Sequence, residues 1–238
     1  MKVTLENVTL LGIDCVNVER LTDAMDLSEK GISFAHSKLL TSLPSRDPRL
    51  VQIPRIGTIK QYSDFCISEL YKYVETDYVL IVQYDGFILN PARWNTSFLD
   101  YDYIGAPWLV HDWSIKKFGF PESLRGTRIV GNGGFCIRSK KFLEVSARLF
   151  AEGKIQRTDP EDVALCFWYK ELCEKEGIVF APPHIATQFS IEGEEDTYTD
   201  QFGFHGFAWT NIDAWIDAHP EHTEIIKRYR MARGKKEK

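Results

Sequence analysis

The side chains best placed for chemistry sit at the ends of apolar runs. Tyr78-Val79-Leu80-Ile81-Val82 is followed by Gln83-Tyr84-Asp85-Gly86. A short continuous apolar run reads as a strand buried on both faces. An acid at its end stands at the carboxyl edge of an α/β sheet, where ligands bind. A carboxylate there can hold a divalent cation on a nucleotide diphosphate. Asp-Gly is also a common turn pair, and on these four residues alone the turn is the favoured reading.

Three further groups share this character. Gly131-Asn132-Gly133-Gly134 leads into the apolar Phe135-Cys136-Ile137. Its glycines permit positive φ and let backbone N–H groups approach a ligand, or they make a tight turn. Asp159-Pro160-Glu161-Asp162 opens a helix, with Asp159 as the expected cap. Acids at that position favour the helix dipole whatever else they do, which is the preferred account of Glu161. His205 lies in Phe202-Gly203-Phe204-His205-Gly206-Phe207. A lone histidine there is usually structural, but a neutral imidazole is also a common metal ligand.

These groups need a scaffold. Val8–Asp14 reads as a first strand, again ending in an aspartate, and Asn17 as the cap of a helix to about Leu27. Ile32–His36 reads as a second strand, so the chain begins β-α-β. Ser63 is the expected cap of a helix to about Val74, and a strand is expected at Ile178–Ala181. Thr210 and Asp213 resemble a capping pair for a late helix. Residues 107–130 read as an aromatic, irregular loop that either walls a cleft or packs on itself. Neither GxGxxG nor GxxxxGK[ST] occurs, so no dinucleotide loop or P-loop is present.

With 238 residues, 44% hydrophobic and 26% charged, the chain suits one substantial α/β domain. A net charge of -5 implies no general polyanion-binding surface, although Lys227–Lys238 is basic. The five scattered cysteines, without a CxxC pair, suggest free thiols in a reducing compartment. No signal sequence or membrane-length apolar run is seen, and a cytoplasmic location is expected.

Gln83-x-Asp85, Asp102–Trp108, Val130–Phe135, Glu161-Asp162, Phe189–Glu192 and Gly203-Phe204-His205, in that order, resemble the DUF5672 family, which is related to GT-A glycosyltransferases. The resemblance covers roughly residues 58–210. It implies a GT-A fold: an α/β, Rossmann-like open mixed sheet flanked by helices. That domain is expected over residues 1–210, with a helical segment and basic tail over 211–238. It further implies a metal-dependent hexosyl- or pentosyltransferase that uses a nucleotide-sugar donor, with inversion favoured. Asp85 and His205 match the positions that hold Mn²⁺ or Mg²⁺. Gln83 stands where the wider GT-A motif has its first acid. Asp162 matches the base of inverting members, with Glu161 as runner-up. Asn132, Gly133 and Gly134 would line the donor sugar or the acceptor. Asp14 and Asn17 would meet the base or ribose. The acceptor is a glycan or other hydroxyl; a modified nucleic-acid base is admitted but not favoured. A binding module that has lost catalysis is the alternative.

Overall fold

The computed structural model describes residues 2–234; the end of the expected basic tail, 235–238, lies outside the described residues. Strand β1 (Val3–Ile13) is almost wholly buried from Val8 onward. Asn17 then caps α1 (Val18–Glu29), its side chain accepting from the Glu19 N–H. The chain returns in β2 (Ile32–Thr41) and the short β3 (Leu50–Gln52). Helix α2 (Ile59–Ser68) precedes β4 (Tyr78–Val82), whose Val79–Val82 are 0–1% exposed. The sheet is completed by β5 (Tyr103–Gly105) and β8 (Phe135–Ser139), in the order β3-β2-β1-β4-β8-β5.

Two features of this order position everything that follows. The strands β3, β2, β1 and β4 are parallel. The chain moves one way from β1 to β2 and β3, then returns to the other side as β4. The crevice beyond the carboxyl ends of β1 and β4 is therefore a topological switch point, where α/β sheets bind ligands. Strand β8 runs antiparallel to both β4 and β5, with Phe135 opposite Val82. That reversal brings the glycine-rich turn before β8 to the same edge as the end of β4.

Residues 107–130 are more regular than expected. Strands β6 (Pro107–Leu109) and β7 (Arg128–Val130) pair antiparallel, with α3 (Asp112–Phe118) between them. Each strand is only three residues long, too short to show alternation in sequence. Helix α4 (Lys140–Ala151) follows β8, capped by Ser139. The helix that opens at Asp159-Pro160-Glu161-Asp162 is divided into α5 (Glu161–Val163), a π-helical turn over Ala164–Trp168 and α6 (Lys170–Lys175). Such single π turns inside helices are rare, and they are frequently found at functional sites.

Other expected details are corrected. Thr58, not Ser63, caps α2 through the Gln61 N–H at 3.1 Å; Ser63 is buried inside the helix. Pro160, not Asp159, holds the N-cap position of α5. The strand at 178–181 reduces to a bridge between Phe180 and Tyr103, because Pro182 and Pro183 begin α7 (Pro183–Phe189) at once. Two-residue strands β9 (Ser190–Ile191) and β10 (Gly203–Phe204) pair next. Thr210 does not cap α8 (Asp213–Ala218): its hydroxyl donates to the His205 carbonyl at 2.6 Å, and Ile212 holds the N-cap.

The main core runs along both faces of the sheet. A second apolar cluster joins Phe87 and Leu89, just after β4, to Phe204, Phe207, Trp215, Ile226 and Tyr229. It ties α8 and α9 (Thr223–Gly234) to the segment carrying Asp85. Phe87 alone makes edge contacts with Phe204, Phe207 and Trp215, and each such pair adds about 0.5–1.5 kcal/mol beyond burial. All five cysteines are buried and free. Among the described residues no helix is long and apolar enough to cross a membrane.

Candidate active site

Beyond β4 the chain turns sharply, the Gly86 N–H donating to the Gln83 carbonyl at 3.0 Å. The turn leaves Asp85 only 3% exposed, and its carbonyl accepts from the Gly206 N–H at 2.7 Å. That bond fixes Asp85 against the residue after His205. Two glycines make room for the imidazole. A Cβ on Gly134 would stand 2.1 Å from His205 Nε2, and one on Gly86 would stand 2.9 Å from its Cδ2.

His205 Nε2 lies 3.4 Å from Asp85 Oδ1 and 3.2 Å from Gln83 Oε1, while Nδ1 lies 2.7 Å from Glu192 Oε1. Gln83 is held from its other side, donating through Nε2 to the Tyr62 hydroxyl at 3.0 Å. Burial opposes the charged form of His205. The Glu192 and Asp85 carboxylates outweigh it and hold its pKa well above the ordinary histidine range. Two carboxylates thus flank the His205 ring.

Glu192 is the hub. Its Oε2 accepts from Trp108 Nε1 at 2.6 Å and from Asn132 Nδ2 at 2.7 Å. Asn132 is buried at φ 74°, a left-handed conformation that asparagine tolerates better than most residues. Its Oδ1 accepts from the N–H groups of Gly134 and Phe135, at 2.7 and 2.9 Å. The positive φ expected of the glycines falls on Asn132 instead. The glycines are there for space: a Cβ on Gly131 would meet Trp108, and one on Gly133 would meet Glu161, at 2.2 and 2.1 Å.

The Gly133 N–H donates to Asp162 Oδ2 at 3.0 Å, and the Val163 N–H donates to Oδ1 at 2.8 Å. Burial, reinforced by the Glu161 and Glu192 charges, pushes the Asp162 carboxyl up to about 7 against those two bonds. Glu161 turns the other way. It is 4% exposed and lies 3.0 Å from Nη2 of the fully buried Arg138. Asp162 and Glu192 border a cavity of about 640 Å³, walled by Trp108, Trp113, Phe118, Phe120 and Trp209.

Asp14 and Asn17 shape the other side of the switch point. Asp14 Oδ1 accepts from the Val16 and Asn17 N–H groups at 2.7 and 2.9 Å, and Oδ2 meets Arg20 Nε at 2.5 Å. The Arg20 guanidinium lies 4.0 Å over the ring of Tyr84, which links the turn after β1 to the turn after β4. The structure therefore joins Gln83, Asp85, His205, Asn132, Gly133, Gly134 and Asp162 in one network. It puts Asp14 and Asn17 beside that network and Glu161 beneath it. Glu192, Trp108, Arg20 and Tyr84 were not assigned roles from sequence. Glu192 directly follows the two-residue strand β9, a strand too short to stand out in sequence as the run before Asp85 does. Among the described residues no group of three or more His, Cys, Asp and Glu side chains is arranged to hold a metal ion.

Four strands in the order 3-2-1-4 with a reversed strand beside them, and a strand-end acid at the switch point, define a GT-A fold. A solved structure agrees. A galactosyltransferase, LgtC, in complex with donor and acceptor sugar analogues matches with a TM-score of 0.50 at 15% identity, over 92% of this chain and 95% of that one. The glycosyltransferase GlyE of Streptococcus pneumoniae TIGR4 gives 0.45 at 11%, over 96% and 63%. A mannosyltransferase of Pyrobaculum calidifontis, solved with GDP-Man and Mn²⁺, gives 0.40 at 10%, over 75% and 55%. The fold assignment rests on the first of these and on the strand order. No curated protein matches the sequence. The family described as "Protein of unknown function (DUF5672)" matches residues 49–205, more than half of the chain. The chain belongs to the DUF5672 family.

Proposed function

We propose that the protein is a glycosyltransferase that moves a sugar from a nucleotide-diphosphate sugar to an acceptor hydroxyl, with a divalent cation at Asp85 and His205 and with inversion. The observation that carries this reading is the His205 imidazole. Glu192 holds its Nδ1, so that Nε2 is directed at Asp85 and Gln83. Carboxylate support of the far nitrogen is the usual second partner of a metal-bound histidine. Cis ligands at about 2.1 Å from an octahedral Mg²⁺ or Mn²⁺ stand about 3.0 Å apart. The spacings of 3.4 and 3.2 Å therefore suit two neighbouring ligand positions. One carboxylate, one imidazole and one amide oxygen leave positions for phosphate oxygens and water, as is common for such ions.

When bound, the cation would act as a Lewis acid on the diphosphate leaving group. The remaining work falls to this chain. Arg20 and Tyr84, set by Asp14 and Asn17, border the switch point where a nucleotide would lie. Asp162 would take the acceptor's proton, since a general base works best when its pKa is near the operating pH. The Gly133 N–H orients it. Glu161 is tied to Arg138 and is not part of the cavity lining, and Glu192 supports the His205 imidazole, so each carboxylate has a role other than nucleophile. That supports inversion.

Incubation with Mn²⁺ and a panel of nucleotide sugars should release nucleoside diphosphate, and Asp85→Ala should abolish the release. If no donor binds or turns over, with or without metal, the reading fails. The second reading, a binding module, is favoured by the small number of protein ligands and by the ease with which His205 holds a proton between two carboxylates. Calorimetry separates the two. Ligand binding indifferent to Mn²⁺ and to Asp162→Asn, without turnover, supports the module.

A further inference from the structure

The cavity beside Asp162 has a chemistry that donor binding does not explain. Its walls are aromatic, and its ionisable lining is almost entirely acidic: Asp162, Glu192, Glu194 and Glu195. Among its described lining residues there is no lysine or arginine. His111 also lines it, 2.8 Å from Glu195 Oε1. Lys117 is drawn onto the rings of Trp113 and Phe118, at 6.0 and 5.1 Å, and is not part of the lining.

Trp113 is the second observation. It is 59% exposed at the cavity rim, stacked on His111 at 6.4 Å and edge-on to Phe118 at 6.0 Å. Its indole is braced without being buried. Another lining residue is also fixed: Trp108 donates to Glu192 and packs over Gly131. An apolar pocket with a few convergent polar groups is the usual form of a small-ligand site.

We propose that this cavity is the acceptor subsite and that it takes an uncharged saccharide, excluding acceptors that carry phosphate, sulfate or carboxylate near the reacting hydroxyl. This rests on the glycosyltransferase reading above. Ionised carboxylates only accept hydrogen bonds, which matches the hydroxyl donors around a sugar ring. The apolar C–H face of a pyranose is complementary to an indole. An anionic group would face several carboxylates within a Debye length and would meet no lysine or arginine among the described lining residues.

The test titrates lactose, cellobiose, maltose and chitobiose, and glucose against glucose 6-phosphate, into the protein at low ionic strength, read by calorimetry and tryptophan fluorescence. At least one neutral disaccharide should bind, and neutral sugars should bind roughly tenfold or more tightly than phosphorylated ones, as like-charge repulsion requires. Trp113→Ala should weaken disaccharide binding by roughly tenfold, and Trp113→Phe should restore most of it by keeping an aromatic face. Thermal melts verify that both variants fold. Equal or tighter binding of the phosphorylated sugar overturns the inference. So does disaccharide affinity indifferent to Trp113→Ala, or no disaccharide binding at all. Donor binding is measured separately, by thermal shift with nucleotide sugars and Mn²⁺. Donor binding without saccharide binding defeats this inference and leaves the proposed function. Saccharide binding without donor binding defeats the proposed function.

Discussion

Glu192 Oε1 lies 2.7 Å from His205 Nδ1, while Glu192 Oε2 accepts from both Trp108 and Asn132. This arrangement decides which imidazole nitrogen is available to a metal. In Glu192→Gln the amide oxygen can keep the two donors on the Oε2 side. The amide N–H₂ then faces His205 Nδ1, which must accept, so the proton moves to Nε2. A protonated Nε2 cannot ligate. Mn²⁺ affinity, measured by calorimetry, is expected to fall roughly 10–100-fold, with the fold retained by circular dichroism. Unchanged affinity would show that Glu192 does not set the tautomer.

Asp162 sets the pH dependence. Its carboxyl is raised from 3.8 to about 7, so the folded state holds this proton more tightly than the unfolded chain. Its contribution to stability is therefore present at acid pH and is lost as pH rises from about 4 to about 7. Asp162→Asn removes that slope. The difference in Tm should move in favour of the variant between pH 4 and pH 8, whatever fixed offset comes from turning an amide towards the Gly133 or Val163 N–H. For turnover the sign is opposite, because a base must be ionised. The kcat/KM profile should rise through an apparent pKa near 7, and Asp162→Asn should lower kcat by roughly 10²–10⁴-fold. A flat profile would remove Asp162 from the base role.

Much of this site was legible because its parts are local. Strand-end acids, a glycine-rich turn before β8 and a histidine between glycines are visible in short windows. The linkage was not. Glu192 meets Trp108 and Asn132 across 84 and 60 residues, and no local period encodes that. The nearness of Gly134 to His205 depends on β8 running antiparallel to β4, with Phe135 opposite Val82. Helix ends were misread where two hydroxyls competed: Thr58 lies just before the apolar face begins and caps α2, while Ser63 is buried within it. Glu161 stands in the first turn of α5, as the helix dipole favours, and its side chain also meets Arg138, which no local pattern encodes.

That pair gives the third prediction. Arg138 is fully buried and Glu161 is 4% exposed, with 3.0 Å between them. Glu161→Gln leaves a buried guanidinium without its countercharge, and removing one partner of such a pair costs about 3–5 kcal/mol. Chemical denaturation should show a loss of that order. Replacing both partners, as Arg138→Met with Glu161→Leu, should recover most of it. If Glu161→Gln instead left stability intact and abolished turnover, Glu161 would replace Asp162 as the candidate base.

Gly134 offers a separate test of the cation position. Its φ is not in the left-handed region, so alanine is tolerated by the backbone. The new methyl would nevertheless lie 2.1 Å from His205 Nε2, closer than any real contact. The neighbour that must yield is the imidazole, which is held through Nδ1 by Glu192 and backed by the Thr210 bond to its carbonyl. Displacing Nε2 from Asp85 removes one of the proposed protein ligands. Gly134→Ala should therefore abolish the rise in Tm caused by Mn²⁺, which in wild type follows from binding to the folded state alone. Because the β8 ladder begins at Phe135, the metal-free Tm should fall by only a few degrees. A Mn²⁺ shift that survives in Gly134→Ala would place the cation away from His205.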